Sequence, residues 1–296
     1  MCGFCGFLEP HHARTADELA TIAGAMAGRL RHRGPDGEGT WTDTPAGLAL
    51  GHRRLAIIDV SRQGHQPMVS ASGRWVIAYN GEVYNFEALR HELDRPRPAR
   101  AAWHGHSDTE VLLEAIEAYG VRGAVERANG MFAFVAWDRE TRTLHLARDR
   151  AGEKPLYYGW NAGTFYFGSE LKAFGAHPAW APSHDRGAFA LFMRLGYIPA
   201  PWSAYAGIRK LPAGTVLTLT PALAAQGAMP EPEVYWDPAA MVTEATAHPF
   251  VDSEDEAAKA LDTLLRDAVQ ARMVADVPLG AFLSGGIDST TIVAMM

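Results

Sequence analysis

The run MFAFVAWD, Met131 to Asp138, mixes aromatic, β-branched and small apolar residues and stops at an aspartate, which predicts a buried β-strand. TLHLARD (Thr143 to Asp149) and TFYFGS (Thr164 to Ser169) are further runs of the same kind. Upstream, Trp75, Ile77 and Tyr79 alternate as in a strand that ends at Asn80 and Gly81. Helical spacing separates these runs. Thr15 and Glu18 stand at capping-box distance, with Leu19, Ile22, Met26 and Leu30 following at helical intervals. Thr109 to Tyr119 carries Val111, Leu112, Ala115, Ile116 and Tyr119 on one side. This order predicts antiparallel sheets with helices outside them, over residues 1–220.

From Pro221 to Asp252 the chain turns rich in Ala, Pro and Thr and loses periodicity, so 221–252 reads as a linker with a short ordered patch near Val234 to Trp236. Residues 253–296 read as a second unit. Ser253 and Glu256 again have capping-box spacing, and Leu261, Leu264, Leu265 and Val269 supply the buried stripe of a helix. Val277 to Leu283 is apolar enough for a buried strand, with a Gly-rich turn from Ser284 to Ser289 and the start of a helix behind it. A parallel α/β domain needs more elements than these, so the second unit is expected to be the opening fragment of one.

The 296 residues are 48% hydrophobic and 21% charged, enough for one large domain or two smaller ones. A formal net charge of −7 argues against nucleic acid or an anionic membrane as partner. The one dense basic stretch, Arg95 to Arg100, is broken by Pro96 and Pro98 and reads as a solvated loop. Two cysteines cannot make a disulfide framework, no secretory signal opens the chain, and no apolar run is long enough for a membrane span. A reducing cytoplasm is the expected compartment.

Cys2 follows the initiator methionine and precedes a glycine, a context in which methionine is usually removed. A cysteine at the mature N-terminus carries its own general base, because a free α-amine titrates near ~7.7–8.0. Cys2 and Cys5 also form a C-x-x-C pair close to His11 and His12. Adjacent histidines so near the cysteines make a poor tetrahedral cage. No metal site is expected, and Cys5 reads as a small buried residue.

Eight segments occur together and in order: MCGFCG (Met1 to Gly6), HRGPD (His32 to Asp36), RLAIID (Arg54 to Asp59), NGEVYN (Asn80 to Asn85), SDTEV (Ser107 to Val111), GMFAF (Gly130 to Phe134), RDRAGEKPLYY (Arg148 to Tyr158) and LPAG (Leu211 to Gly214). The series resembles the class II glutamine amidotransferase domain of glutamine-hydrolysing asparagine synthetases. The resemblance implies a four-layer αββα sandwich of the N-terminal nucleophile hydrolase type, with Cys2 as nucleophile. It also implies that Asn80 and Gly81 form the oxyanion hole and that Arg54 grips the substrate α-carboxylate. Asp108 would receive the α-ammonium, Glu82 would stand at the same end of the pocket, and backbone groups of Ile57 and Ile58 would contact the substrate. Read alone, Arg54 and Asp108 are ordinary surface charges and Asn80-Gly81 a hairpin turn. Arg33 to Asp36 and Asp149 to Lys154 read as structural loops near the site.

LSGGIDST (Leu283 to Thr290) resembles the pyrophosphate loop of the PP-loop ATP pyrophosphatases, which split ATP between the α and β phosphates. Glycines there admit a close backbone approach, and a helix N-terminus offers N–H groups to phosphate. The resemblance implies that Ser284, Gly285, Gly286, Asp288 and Ser289 cradle the phosphates, with Leu283 near the adenine. Glutamine, ATP (with Mg) and aspartate are the implied small-molecule partners, and the sequence leaves a homodimer open. Competing readings are a related amidotransferase with another carboxylate acceptor, and a glutamine-sensing module without turnover. Retention of Cys2 argues against β-lactam-forming or macrocyclising relatives, which need no ammonia.

Overall fold

The computed structural model describes residues 1–94 and 103–296, so the basic stretch Arg95 to Arg100 lies outside the described residues. The chain opens with β1 (Gly3–Leu8), α1 (Ala16–Gly28), β2 (Gly37–Asp43), β3 (Leu48–Arg54), β4 (Met68–Val69) and β5 (Trp75–Val83). It continues through α2 (Phe86–Asp94), α3 (Asp108–Arg127), β6 (Gly130–Asp138), β7 (Thr143–Arg148), β8 (Tyr157–Asn161) and β9 (Thr164–Gly168). After α4 (Arg186–Leu195) come β10 (Ile208–Lys210), β11 (Thr215–Leu219), α5 (Pro221–Gln226) and β12 (Glu233–Val234). The last elements are α6 (Pro238–Ala247), α7 (Glu254–Ala271) and α8 (Ile287–Met295).

Two antiparallel sheets result, ordered β10-β8-β9-β1-β3-β2 and β12-β11-β7-β6-β5-β4. Alternation along each strand sorts the side chains into three buried layers. Phe4, Leu8, Leu48 and Leu50 of the first sheet meet Val76, Ala78, Val135 and Trp137 of the second between the sheets. Cys5, Phe7 and Ala49 face Leu19, Ile22, Ala23 and Met26 of α1. Ile77, Tyr79, Phe132 and Phe134 face Leu89 of α2 and Val111, Leu112 and Ile116 of α3. The product is the αββα sandwich, with central strands buried on both faces. Close approach of α1 to its sheet depends on Gly51, where a Cβ would fall 2.6 Å from the Ala23 carbonyl.

The capping boxes of α1 and α7 form as their spacing predicts, Thr15 with Glu18 and Ser253 with Glu256. Three expectations need correction. Asn80 and Gly81 do not end their strand, because β5 runs on to Val83 and pairs them with Ala133 and Phe132. Gly81 marks close packing here, since a Cβ would lie 2.7 Å from the Phe132 Cα. The apolar run Val277 to Leu283 is irregular, with Phe282 and Leu283 exposed. A strand needs a neighbour for its backbone groups, and among the described residues no strand pairs with this segment. The stripe of α7 is likewise uncovered: Val269 is buried, but Leu261 and Leu264 are exposed. Residues 221–252, read as a linker, carry α5, β12 and α6, and β12 coincides with the ordered patch, pairing with β11.

Candidate active site

β1 and β3 pair so that Gly3 lies opposite Arg53, which carries Cys2 to the end of the first sheet beside Leu55. The Leu55 N–H points at the Cys2 Sγ at 3.3 Å, and the thiol lies 3.5 Å from the Leu55 carbonyl. Arg33 donates from Nε to the Cys2 carbonyl at 2.8 Å and is itself held by Glu170, also at 2.8 Å. Burial pushes the Cys2 thiol above its ordinary range, with the Leu55 amide opposing. A thiol so placed needs a base to become a nucleophile. The Met1 α-amine next to it is held below its ordinary value, chiefly by burial.

The second sheet meets this end through β5. Met1, Cys2, Arg54, Ile57, Ile58, Asn80, Gly81, Glu82 and Asp108 line one cleft, so all eight residues predicted for the glutaminase site come together. Asn80 is 1% exposed, and its Nδ2 has no hydrogen-bond partner among the described residues. An unpaired buried donor is costly and uncommon in folded proteins, so its presence beside a thiol calls for an explanation. Arg54 donates to the carbonyls of Ser61, at 2.8 Å, and Asp59, which shapes the loop after β3.

Asp108 opens α3, whose N-cap is Ser107. Its carboxylate accepts from the Tyr79 hydroxyl at 2.7 Å and the Val83 N–H at 2.9 Å. Burial nevertheless lifts Asp108 above the usual carboxylate range, and burial followed by the nearby Asp108 does the same to Glu82. Two carboxyl groups sharing one pocket favour a cation between them. Lys154, pushed down by burial, completes the wall.

Sequence reasoning passed over Tyr79, Gln66, Thr109, Met131 and Lys154, all of which line the cleft. Tyr79 joins several of the others. Its N–H donates to Gln66 Oε1 at 2.7 Å, its carbonyl contacts His52 Nε2 at 2.9 Å, and its hydroxyl orients Asp108. A buried tyrosine usually finds a partner for its hydroxyl, which was the available signal. The loops flanking the site do structural work: Asp149 accepts from the amides of Phe132, Glu153 and Lys154, and Asp36 from that of Ala56. Cys5 is buried on the α1 side of β1, where burial raises its thiol, and His11 and His12 are exposed.

Leu283 to Ser289 lies apart from the cleft. Gly285 has a left-handed φ of +80°, and Gly286 caps α8 without a side-chain hydrogen bond. The Ser284 and Ser289 hydroxyls stand 2.9 Å apart across the turn.

Solved structures share this fold. The glutamine phosphoribosylpyrophosphate amidotransferase of B. subtilis superposes with a TM-score of 0.56 at 20% identity, over 79% of this chain and 49% of that one. A structure titled as the allosteric regulatory enzyme of purine biosynthesis gives the same TM-score of 0.56, at 21% identity.

Residues 1–236 match the glutamine amidotransferase domain family, and the chain belongs to it. Residues 260–296 match the asparagine synthase family. Among curated proteins, asparagine synthetase [glutamine-hydrolyzing] 1 of Bacillus subtilis is 35% identical over 296 residues, all of this chain and 44% of that protein. A putative asparagine synthetase of Mycobacterium tuberculosis is 35% identical, with 45% of it covered. The amidase chry2 of Gibberella zeae is 31% identical, with 43% covered. The chain thus spans about half the length of the curated relatives it matches, 57% in the case of a Methanocaldococcus jannaschii protein. Among the described residues no helix is long and apolar enough to cross a membrane.

Proposed function

We propose that the cleft hydrolyses glutamine and that the ammonia serves an ATP-dependent amidation of aspartate, as in a glutamine-hydrolysing asparagine synthetase. The observation that carries this reading is the buried, unpartnered Asn80 Nδ2 in the same cleft as Cys2. Removal of Met1, which is 59% exposed at the cleft, makes the Cys2 amine the general base. That amine takes the thiol proton, and the sulfur attacks the side-chain carbonyl carbon of glutamine. The oxyanion is held by the Asn80 amide and the Gly81 N–H. Collapse breaks the C–N bond, the amine's proton leaves with ammonia, and a γ-glutamyl thioester remains. Water, deprotonated by the same amine, then releases glutamate and restores the thiol. Arg54 holds the α-carboxylate, Asp108 and Glu82 the α-ammonium, and the backbone of Ile57 and Ile58 the chain between them.

ATP is proposed to meet Ser284, Gly285, Gly286, Asp288 and Ser289, with Leu283 near the adenine. The open N-terminus of α8 and the left-handed Gly285 suit phosphate oxygens. Magnesium would come with the nucleotide, since it binds through phosphates and one or two carboxylates, and Asp288 is the carboxylate at this turn. The thioester chemistry is complete without it. A cytoplasmic location fits two free thiols.

The test is glutamate release from glutamine by the chain with Met1 removal confirmed by mass, alongside Cys2→Ala. Release that disappears in the variant is expected. Saturable glutamine binding without release would favour a sensing module instead. AMP and pyrophosphate formed with aspartate, but not with other carboxylates, would fix the acceptor.

A further inference from the structure

The loop after β3 brings Ile57 and Ile58 to the cleft and then turns back at Asp59. Asp59 has a left-handed φ of +56°, a conformation uncommon outside glycine that a short polar side chain tolerates and that its surroundings hold in place here. Some of those surroundings are local. The Ser61 hydroxyl and N–H donate to Asp59 Oδ1, and Arg54 donates to the Asp59 carbonyl.

The other constraint comes from 217 positions further along the chain. Asp276 donates its N–H to the Ile57 carbonyl at 2.9 Å and accepts the Asp59 N–H on Oδ2 at 2.7 Å. One residue therefore clasps both ends of the Ile57–Asp59 peptide. His106 closes the ring, with Nε2 at 2.7 Å from the same Asp276 oxygen and its N–H donating to Asp59 Oδ2 at 3.0 Å. Asp276 is exposed, with 39% of its side-chain surface open to solvent. It belongs to the 260–296 segment that matches the asparagine synthase family, whereas everything it clasps belongs to the amidotransferase match.

We propose that Asp276 is a positioning residue for glutamine: the synthetase-matching segment supplies it, and it holds the Ile57–Asp59 backbone in the shape that meets the substrate. Glutamine affinity then depends on that segment being seated on the loop. This role rests on the glutaminase reading above.

The experiment compares wild type, Asp276→Ala and Asp276→Asn in the full 296-residue chain with Met1 removed. Glutamate release gives KM and kcat, and hydrogen exchange by mass spectrometry reads the amides of the loop after β3. Losing an acceptor at an exposed site should raise KM about 2- to 5-fold in Asp276→Ala, with kcat within about twofold. Loop exchange should quicken by about the same factor, while the melting temperature stays close to wild type. Asn keeps an acceptor for the Asp59 N–H and should recover most of the loss.

Unchanged KM and loop exchange in Asp276→Ala overturn the proposal. So does a fall in kcat and melting temperature that Asn fails to rescue, which is the mark of a general structural role. A wild type with no Cys2-dependent release overturns the glutaminase reading and this role with it. An active wild type with an unmoved KM overturns only the role of Asp276.

Discussion

Replacing Asn80 with alanine separates catalysis from folding at this site. The side chain is 1% exposed and its Nδ2 has no partner among the described residues, so the substitution breaks no hydrogen bond that this nitrogen makes there. The strand keeps its place through the β5–β6 register, which sets residue 80 opposite Ala133. A buried unpaired donor costs about 1–3 kcal/mol, so deleting it offsets much of the packing lost with the side chain. Net stability should change by about 1 kcal/mol or less, which is roughly 2–4 °C in melting temperature for a chain of this size.

The rate should change far more. A donor that meets an oxyanion present only in the transition state contributes about 2.7–4 kcal/mol, or ~10²–10³ in kcat. Because the ground-state carbonyl gains little from it, KM should move by less than about threefold. The assay is Cys2-dependent glutamate release at saturating glutamine, with melting temperature measured on the same preparation. A folded Asn80→Ala protein with kcat within about fivefold of wild type would refute the oxyanion assignment.

Three further outcomes follow from neighbouring residues. Tyr79→Phe removes the hydroxyl that orients Asp108 but leaves the Val83 N–H in place, so KM for glutamine should rise about fivefold with kcat little changed; an unaltered KM counts against Asp108 as the ammonium acceptor. Gly81→Ala places a Cβ against Phe132 and the Met131 carbonyl, so thermal unfolding should show a drop of several degrees, and a wild-type melting curve would contradict that packing. The third concerns acid stability. Burial holds His52 at about 4, below the ordinary value of 6.5. Between those two values the unfolded chain binds the proton and the folded chain does not, so stability is lost as pH falls through that window. The contribution is on the order of 3 kcal/mol for His52. Urea midpoints measured from pH 7 to 4 should therefore fall, and His52→Gln should flatten the slope; an unchanged slope would remove His52 as its source.

The sequence alone determined the elements whose cause is local. Capping boxes at Thr15 and Ser253 and the apolar runs of β6, β7 and β9 depend on spacing and on residue type, and each formed where those features stand. The ordered motifs also named the residues proposed for glutamine hydrolysis, and these line one cleft. Tertiary structure decided the rest, since it depends on partners far away in the chain. Asn80-Gly81 has the composition of a turn, yet the facing β6 keeps it in a strand. Val277 to Leu283 has the composition of a buried strand, yet without a pairing neighbour among the described residues it stays irregular. Tyr79 alternates like any buried aromatic, and only the packing of α3 against β5 turns its hydroxyl toward Asp108. The clasp of Asp276 on Ile57 and Asp59 spans 217 positions, and no local pattern encodes a contact that forms only when two distant segments fold against each other.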